Sequence, residues 1–95
     1  MSLTPDNPYI YLNLAVLYKT QNNYPVAIDW LNKGISINPE EAFLYYNHSC
    51  LCLLNGKTDQ AIEDAKHACN LDKYFAEYIK SDSDLKEIKS SVINN

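Results

Sequence analysis

Apolar residues recur along this chain at intervals of three and four positions, the spacing of an amphipathic helix. Asn7 and Pro8 predict the first helix start, because Asn accepts hydrogen bonds from unpaired backbone N–H groups and Pro suits the first helical position. Residues 21–23 end this helix, and its apolar face comprises Tyr11, Leu14, Ala15 and Tyr18. No run alternates polar and apolar residues for long enough to predict a strand, so the chain is predicted to be all-α.

The same spacing predicts three more helices and a C-terminal tail. The second and third helices are predicted to begin at Pro25 and at about Glu41, and Thr58 or Asp59 is predicted to cap the start of the fourth. The three helices are predicted to end before Asn38, at Asn55 and at about Leu71. Gly56 tolerates the left-handed conformation that closes the third helix. In the tail, a fifth helix begins at Tyr74 and residues 81–84 interrupt it. One face of a short last helix then comprises Leu85, Ile88 and Val92.

The helical region repeats itself with a period of 34 residues. Identical residues one period apart are Tyr11 and Tyr45, Asn13 and Asn47, Leu17 and Leu51, Ala27 and Ala61, and Ile28 and Ile62. A repeat of this length is one supersecondary unit that cannot bury its apolar face alone, so it stacks on neighbours. Stacked units present a surface, which favours binding over catalysis.

Composition narrows the possible function. The 95 residues predict one small domain, and the net charge of −4 without a basic stripe argues against nucleic acid as a partner. No apolar run approaches the length needed to span a bilayer, and the N-terminus lacks the features of a signal peptide. Three cysteines are an odd number, which favours reduced thiols and a cytoplasmic location.

The first unit, residues 8–41, resembles a tetratricopeptide repeat (TPR). The eight characteristic positions of that family fall on Tyr11, Leu14, Ala15, Tyr18, Ala27, Leu31, Gly34 and Pro39, each of an acceptable type. The resemblance implies antiparallel helix-turn-helix repeats, stacked as a short right-handed superhelical solenoid. Residues 1–7 are then an N-terminal extension, part of which looks like a start appended to an excised fragment.

The second unit, residues 42–75, matches the family pattern less well. Its departures are His48, Cys52, Ala65 and Lys73, where large aliphatic, aromatic, bulky and Pro residues are usual. The small side chains of Cys52 and Ala65 indicate that another segment fills the space beside them. Residues 76–95 resemble a degenerate third repeat with a capping helix, and we expect this segment to cover the fourth helix.

The resemblance places the partner-binding surface on a concave groove formed by the first helix of each repeat. The residues predicted to line it are Tyr9, Leu12, Asn13, Val16, Lys19, Phe43, Tyr46, Asn47, Cys50 and Leu54. Most are apolar or aromatic, which suits an extended peptide or a partner helix, and the two Asn amides could bind a peptide backbone. Alternatively, the aromatic residues pack against a neighbouring repeat.

One known kind of groove is not expected in this chain. Chaperone-docking members of the family hold a C-terminal carboxylate with Lys, Asn and Arg side chains. The corresponding positions are Leu12, Val16, Asn47, Glu77 and Ser81. Only Asn47 matches, and Glu77 has the wrong charge for a carboxylate ligand, so a carboxylate clamp is not predicted.

His48 and Cys52 have the spacing of metal ligands, because residues four apart share a helix face. Both fall on inward packing positions, however, and no second pair of ligands is apparent. A buried, hydrogen-bonded His is therefore the favoured interpretation, and no metal or other cofactor is predicted.

The acidic pairs do not predict a catalytic site. Adjacent residues diverge around a helix, so Glu63 and Asp64 are interpreted as helix-start or solvated charges. Asp82 and Asp84 are predicted to cap the last helix. The chain contains no phosphate-binding Gly-rich loop and no recognisable activated nucleophile, so it is not expected to be an enzyme.

Two functions stay open at this point. The first is a cytoplasmic, non-catalytic scaffold for protein–protein interaction that binds a partner protein or peptide in the concave groove. The second is a structural fragment of a longer TPR solenoid or multidomain protein, whose groove packs internally. A self-associating homodimer is a variant of the second.

Overall fold

The computed structural model describes residues 7–93, without the side chains of Asp84 and Ile93. Residues 1–6 of the predicted N-terminal extension therefore lie outside the described residues. Within 7–93 all regular structure is helical, and the elements are α1 Pro8–Thr20, α2 Tyr24–Ile37, α3 Ala42–Leu54, α4 Thr58–Leu71, α5 Tyr74–Ser81, a 3₁₀ turn Ser83–Leu85 and α6 Lys89–Ile93. No helix in this part of the chain is both long and apolar enough to cross a membrane.

Most helix ends follow local signals in the sequence. The Asn7 side chain caps α1 by accepting a hydrogen bond from the backbone N–H of Tyr9 at 3.0 Å, and Gly56 adopts a φ of +80° after α3. The prediction that Thr58 or Asp59 caps α4 is wrong. A backbone bond of 2.7 Å from the Lys57 N–H to the Cys52 carbonyl closes the preceding turn, so Thr58 is already helical.

The four long helices form two stacked antiparallel pairs, which confirms the predicted solenoid fold. α1 packs on α2, α3 packs on α4, and α2 packs on α3 to join the two pairs. A core inside the first pair and between the pairs comprises Ala15, Ala27, Leu31, Leu44 and Leu51. Their burial removes apolar surface from water, the main stabilising contribution in a domain of this size.

The C-terminal segment covers the second pair. Ile79 of α5, together with Leu85 and Ile88 around the 3₁₀ turn, is buried in a second core cluster that includes Cys52 and Ala65. α5 and α6 both contact α4. The prediction that this segment fills the space beside the small residues of the second repeat is therefore confirmed.

Candidate functional site

The α1 half of the concave groove is open to solvent. Tyr9 is more than half exposed and stacks on Phe43 of α3, with ring centroids 4.9 Å apart and ring planes 11° from parallel. Val16, Asn13 and Leu54 are also exposed. Offset stacking fixes the two rings relative to each other, so one repeat is joined to the next by a rigid aromatic surface.

A small pocket lies between α1 and α3. It is lined by Leu12, Ala15, Val16, Lys19, Asn47 and Leu51, so four of the ten predicted groove residues converge there. Its volume is about 10 Å³, far below the roughly 300 Å³ of a small-molecule site. The Asn47 Nδ2 donates to the Phe43 carbonyl at 2.7 Å, which fixes the orientation of this amide. The pocket therefore fits the end of one side chain and not a cofactor.

The C-terminal segment covers the other half of the predicted groove. The Tyr46 ring packs on Phe75 and Tyr78, with centroids 5.3 and 6.4 Å away, and its hydroxyl donates to Asp82. Cys50 is only 6% exposed and belongs to the core beneath α5. The expectation that Tyr46 and Cys50 face an open groove is therefore wrong, because side chains of the C-terminal segment pack against both residues.

A buried polar cluster lies between α3 and α4. The His48 Nδ1 donates to the Asp64 Oδ2, and the His48 Nε2 donates to the Asn32 Oδ1 at 2.7 Å. The Cys52 Sγ is 3.4 Å from the His48 Nδ1 and 3.8 Å from the Asp64 Oδ2. The Gln60 side chain donates to the Asp64 Oδ1 at 3.0 Å. Both imidazole nitrogens are thus donors, as only the protonated imidazole allows.

The cluster keeps His48 charged at neutral pH. Burial by itself lowers the pKa of this imidazole, but the hydrogen bond to the Asp64 carboxylate, with smaller contributions from Cys52, raises the pKa of His48 to about 9. Burial, followed by the Asp64 charge, raises the pKa of Tyr45. Burial also raises the pKa of the Cys69 thiol, which makes it less reactive.

The structure confirms the predicted burial of His48 and Cys52 and corrects the interpretation of Asp64. Asp64 was expected to be a helix-start or solvated charge, yet it is only 6% exposed. The sequence contained a signal for this placement. Asp64 stands one period after Trp30, which packs against the first core, so the repeat itself puts Asp64 on an inward-facing position.

Asp82 also differs from its prediction as a cap of the last helix. It directly precedes the 3₁₀ turn, and its side chain accepts the hydrogen bond from Tyr46, whereas α6 begins only at Lys89. The reason is that the 3₁₀ turn intervenes between Asp82 and α6. The predicted capping role of Asp84 concerns a side chain outside the described part of the structure.

A comparison with protein families identifies the class of this chain. The family model described as tetratricopeptide repeat matches residues 8–41 and 44–75, which is more than half of the chain. The chain belongs to the tetratricopeptide repeat family, with two repeats followed by a capping helix. Repeats of this family are generally protein–protein interaction modules and typically non-catalytic. No curated protein and no solved structure matched the chain.

Proposed function

We propose that this protein is a cytoplasmic, non-catalytic interaction module that binds a partner peptide or helix in the α1 half of its concave groove. The observation that carries the proposal is the convergence of Leu12, Val16, Lys19 and Asn47 on one pocket between two repeats. The structure joins none of Cys50, Cys52 and Cys69 in a disulfide, which is consistent with the proposed cytoplasmic location.

The chemistry of this surface defines the kind of segment that it would accept. The stacked Tyr9 and Phe43 rings offer rigid apolar area, and the pocket would take the end of one apolar anchor side chain. Lys19 beside the pocket favours an acidic residue next to that anchor. The Asn47 carbonyl oxygen could accept a backbone N–H of the bound segment.

The proposal is tested with a phage-displayed library of random peptides. A synthetic peptide selected by the wild type should bind the Val16→Asp variant at least about tenfold more weakly, because a carboxylate would be desolvated at the pocket wall. Ile37→Asp is the matched control, since Val16 is 46% exposed and Ile37, on α2, is 39% exposed. Unchanged binding to Val16→Asp, or an equal loss with Ile37→Asp, would contradict the proposal.

A second candidate function is internal packing, in a longer solenoid or between two copies of this chain. One observation favours it. Leu17 of α1 is 49% exposed, whereas Leu51, one period later, is 2% exposed because the first repeat covers it. Light scattering over a wide concentration range tests self-association: a strict monomer excludes it, and a dimer that Leu17→Asp dissociates supports it. A peptide library that yields no binder would also favour this candidate.

A further inference from the structure

The polar cluster in the second repeat has the composition of a metal site. We propose that His48, Cys52 and Asp64 bind one Zn²⁺ ion between α3 and α4. Each residue offers one ligand atom, and the three atoms lie within 4.8 Å of one another in the interior of the repeat. Imidazole nitrogen, thiolate sulfur and carboxylate oxygen are the three ligand types that Zn²⁺ takes from proteins.

The two distances from the Cys52 sulfur are close to those around a tetrahedral ion. Zinc bonds of about 2.3 Å to sulfur and about 2.0–2.2 Å to nitrogen or oxygen place two ligands of a tetrahedron about 3.3–3.6 Å apart. The Cys52 Sγ lies 3.4 Å from the His48 Nδ1 and 3.8 Å from the Asp64 Oδ2. The third pair, the His48 Nδ1 and the Asp64 Oδ2, is joined directly by a hydrogen bond. For the ion to replace the shared proton, these two atoms would move apart to about 3.3 Å. Three protein ligands leave the fourth position for a water molecule.

Two exposed amides hold the ligands in the required orientation. The Asn32 Oδ1 accepts from the His48 Nε2, which directs Nδ1 toward Cys52 and Asp64. Gln60 donates to the Asp64 Oδ1, so that Oδ2 is the oxygen shared with His48 and Cys52. Metal-binding His residues almost always donate their second N–H to a carboxylate, a backbone carbonyl or water, and here the Asn32 amide oxygen is the acceptor.

Charge is balanced in both states of the cluster. Without metal, the His48 imidazolium and the Asp64 carboxylate neutralise each other beside the Cys52 side chain. When Zn²⁺ binds, His48 and Cys52 each release one proton to solvent. The doubly positive ion then meets one thiolate and one carboxylate, so the buried site stays neutral, which avoids the cost of an uncompensated buried charge.

Packing alone does not require these residue types. One period earlier, the first repeat has Leu14, Tyr18 and Trp30 at the same three positions. A buried ion pair usually contributes no more stability than well-packed apolar residues of similar volume. The replacement of all three positions by metal-ligating types is therefore better explained by a ligand than by stability.

The direct test is a titration of the metal-free protein with Co²⁺, a spectroscopic substitute for Zn²⁺. We expect one equivalent to produce thiolate-to-cobalt charge-transfer absorption and the visible bands of a tetrahedral ion, both abolished by one equivalent of Zn²⁺. Cys52→Ser should lose the charge-transfer absorption and Cys69→Ser should keep it. Absence of this absorption in the wild type, or its persistence in Cys52→Ser, would overturn the proposal.

A second test uses surface substitutions that leave the core intact. Asn32→Ala should weaken Zn²⁺ binding by about 10–100-fold, measured by competition with a chromophoric chelator, because the imidazole loses its orienting partner. Asn32→Asp restores an acceptor and should recover most of that loss, and Asn70→Ala, an exposed amide on α4, should have no effect. Equal affinities for wild type and Asn32→Ala, with the same circular dichroism spectrum, would contradict the assigned geometry.

Discussion

The two repeats have the same helical framework but different interiors. The first has Leu14, Tyr18, Trp30 and Leu31 where the second, one period later, has His48, Cys52, Asp64 and Ala65. The second repeat has therefore exchanged apolar volume for a hydrogen-bonded polar cluster. It is also the repeat that the C-terminal segment covers, through Ile79, Leu85 and Ile88.

This difference shows how a degenerate repeat stays folded. Small side chains at Cys52 and Ala65 would leave voids, and voids cost stability because their walls lose packing contacts. The capping residues fill that space, while Asn32 and Gln60 complete the hydrogen bonds of the buried polar groups. The first repeat has no such cover on its outer side among the described residues, and the exposed Leu17 marks that face.

The largest effect on stability is expected from a substitution that disrupts the polar cluster of the second repeat. Asp64→Ala should lower the free energy of unfolding by about 3–5 kcal/mol, because it leaves the His48 imidazolium buried without its counter-charge. Urea denaturation in the presence of a metal chelator measures the change. Glu63→Ala, which removes the adjacent exposed carboxylate, should stay within about 0.5 kcal/mol of wild type. Similar losses for both variants would mean that Asp64 is solvated.

Leu17 and Leu51 occupy the same position in the two repeats, so substituting each one compares the outer face of the first repeat with the face between the repeats. Leu51→Ala should cost about 2–5 kcal/mol, because Leu51 is almost fully buried, whereas Leu17→Ala should cost less than about 0.5 kcal/mol. Urea denaturation at two protein concentrations measures the change in the free energy of unfolding for both variants. A large, concentration-dependent effect of Leu17→Ala would indicate that a second copy of the chain covers α1.

The pH dependence of the metal-free protein tests the charge state of the cluster. Because the pKa of His48 is raised to about 9 from its ordinary 6.5, its contribution is complete below about pH 6.5 and is lost as pH rises through 9. We expect the free energy of unfolding to fall by about 1–3 kcal/mol across that window. His48→Gln should remove this decrease in the free energy of unfolding with pH. An identical decrease in that variant would refute the conclusion that His48 is charged in the folded protein.

The smallest effect on stability is expected at the close contact between α1 and α2 in the first repeat. A Cβ atom on Gly34 would lie 2.8 Å from the Tyr11 Cβ, an atom that cannot move without its backbone. Gly34→Ala should therefore cost a net of about 1–2 kcal/mol, although Ala favours helix. The second repeat already has Ala68 at this position, so Ala68→Gly should cost about 1–2 kcal/mol, through helix propensity and the loss of a buried methyl group. Stabilisation by Gly34→Ala would show that α1 and α2 can separate slightly.

Much of the fold follows from the sequence. The 34-residue period, the Asn7-Pro8 start and Gly56 predict the four long helices and their pairing, and the small residues of the second repeat predict its C-terminal cover. Local signals were less reliable at Thr58 and Asp82, where backbone bonds of the turns set the boundaries.

The groove was predicted only as a set of residues on the first helix of each repeat. The structure separates that set into an open half with Leu12, Val16, Lys19 and Asn47 and a covered half with Tyr46 and Cys50. Spacing within a helix cannot make this distinction, because it depends on where a later helix packs. The role of the open half in binding stays a prediction.

The sequence by itself determined the helices, their repeat and the inward direction of His48 and Cys52, since these depend on periodicity and on residues close in the chain. Only the tertiary structure decided that Asp64 of α4 and Asn32 of α2 meet His48, and that the C-terminal segment covers Tyr46 and Cys50. Those contacts join residues that are distant along the chain, and the packing of whole helices brings them within bonding distance.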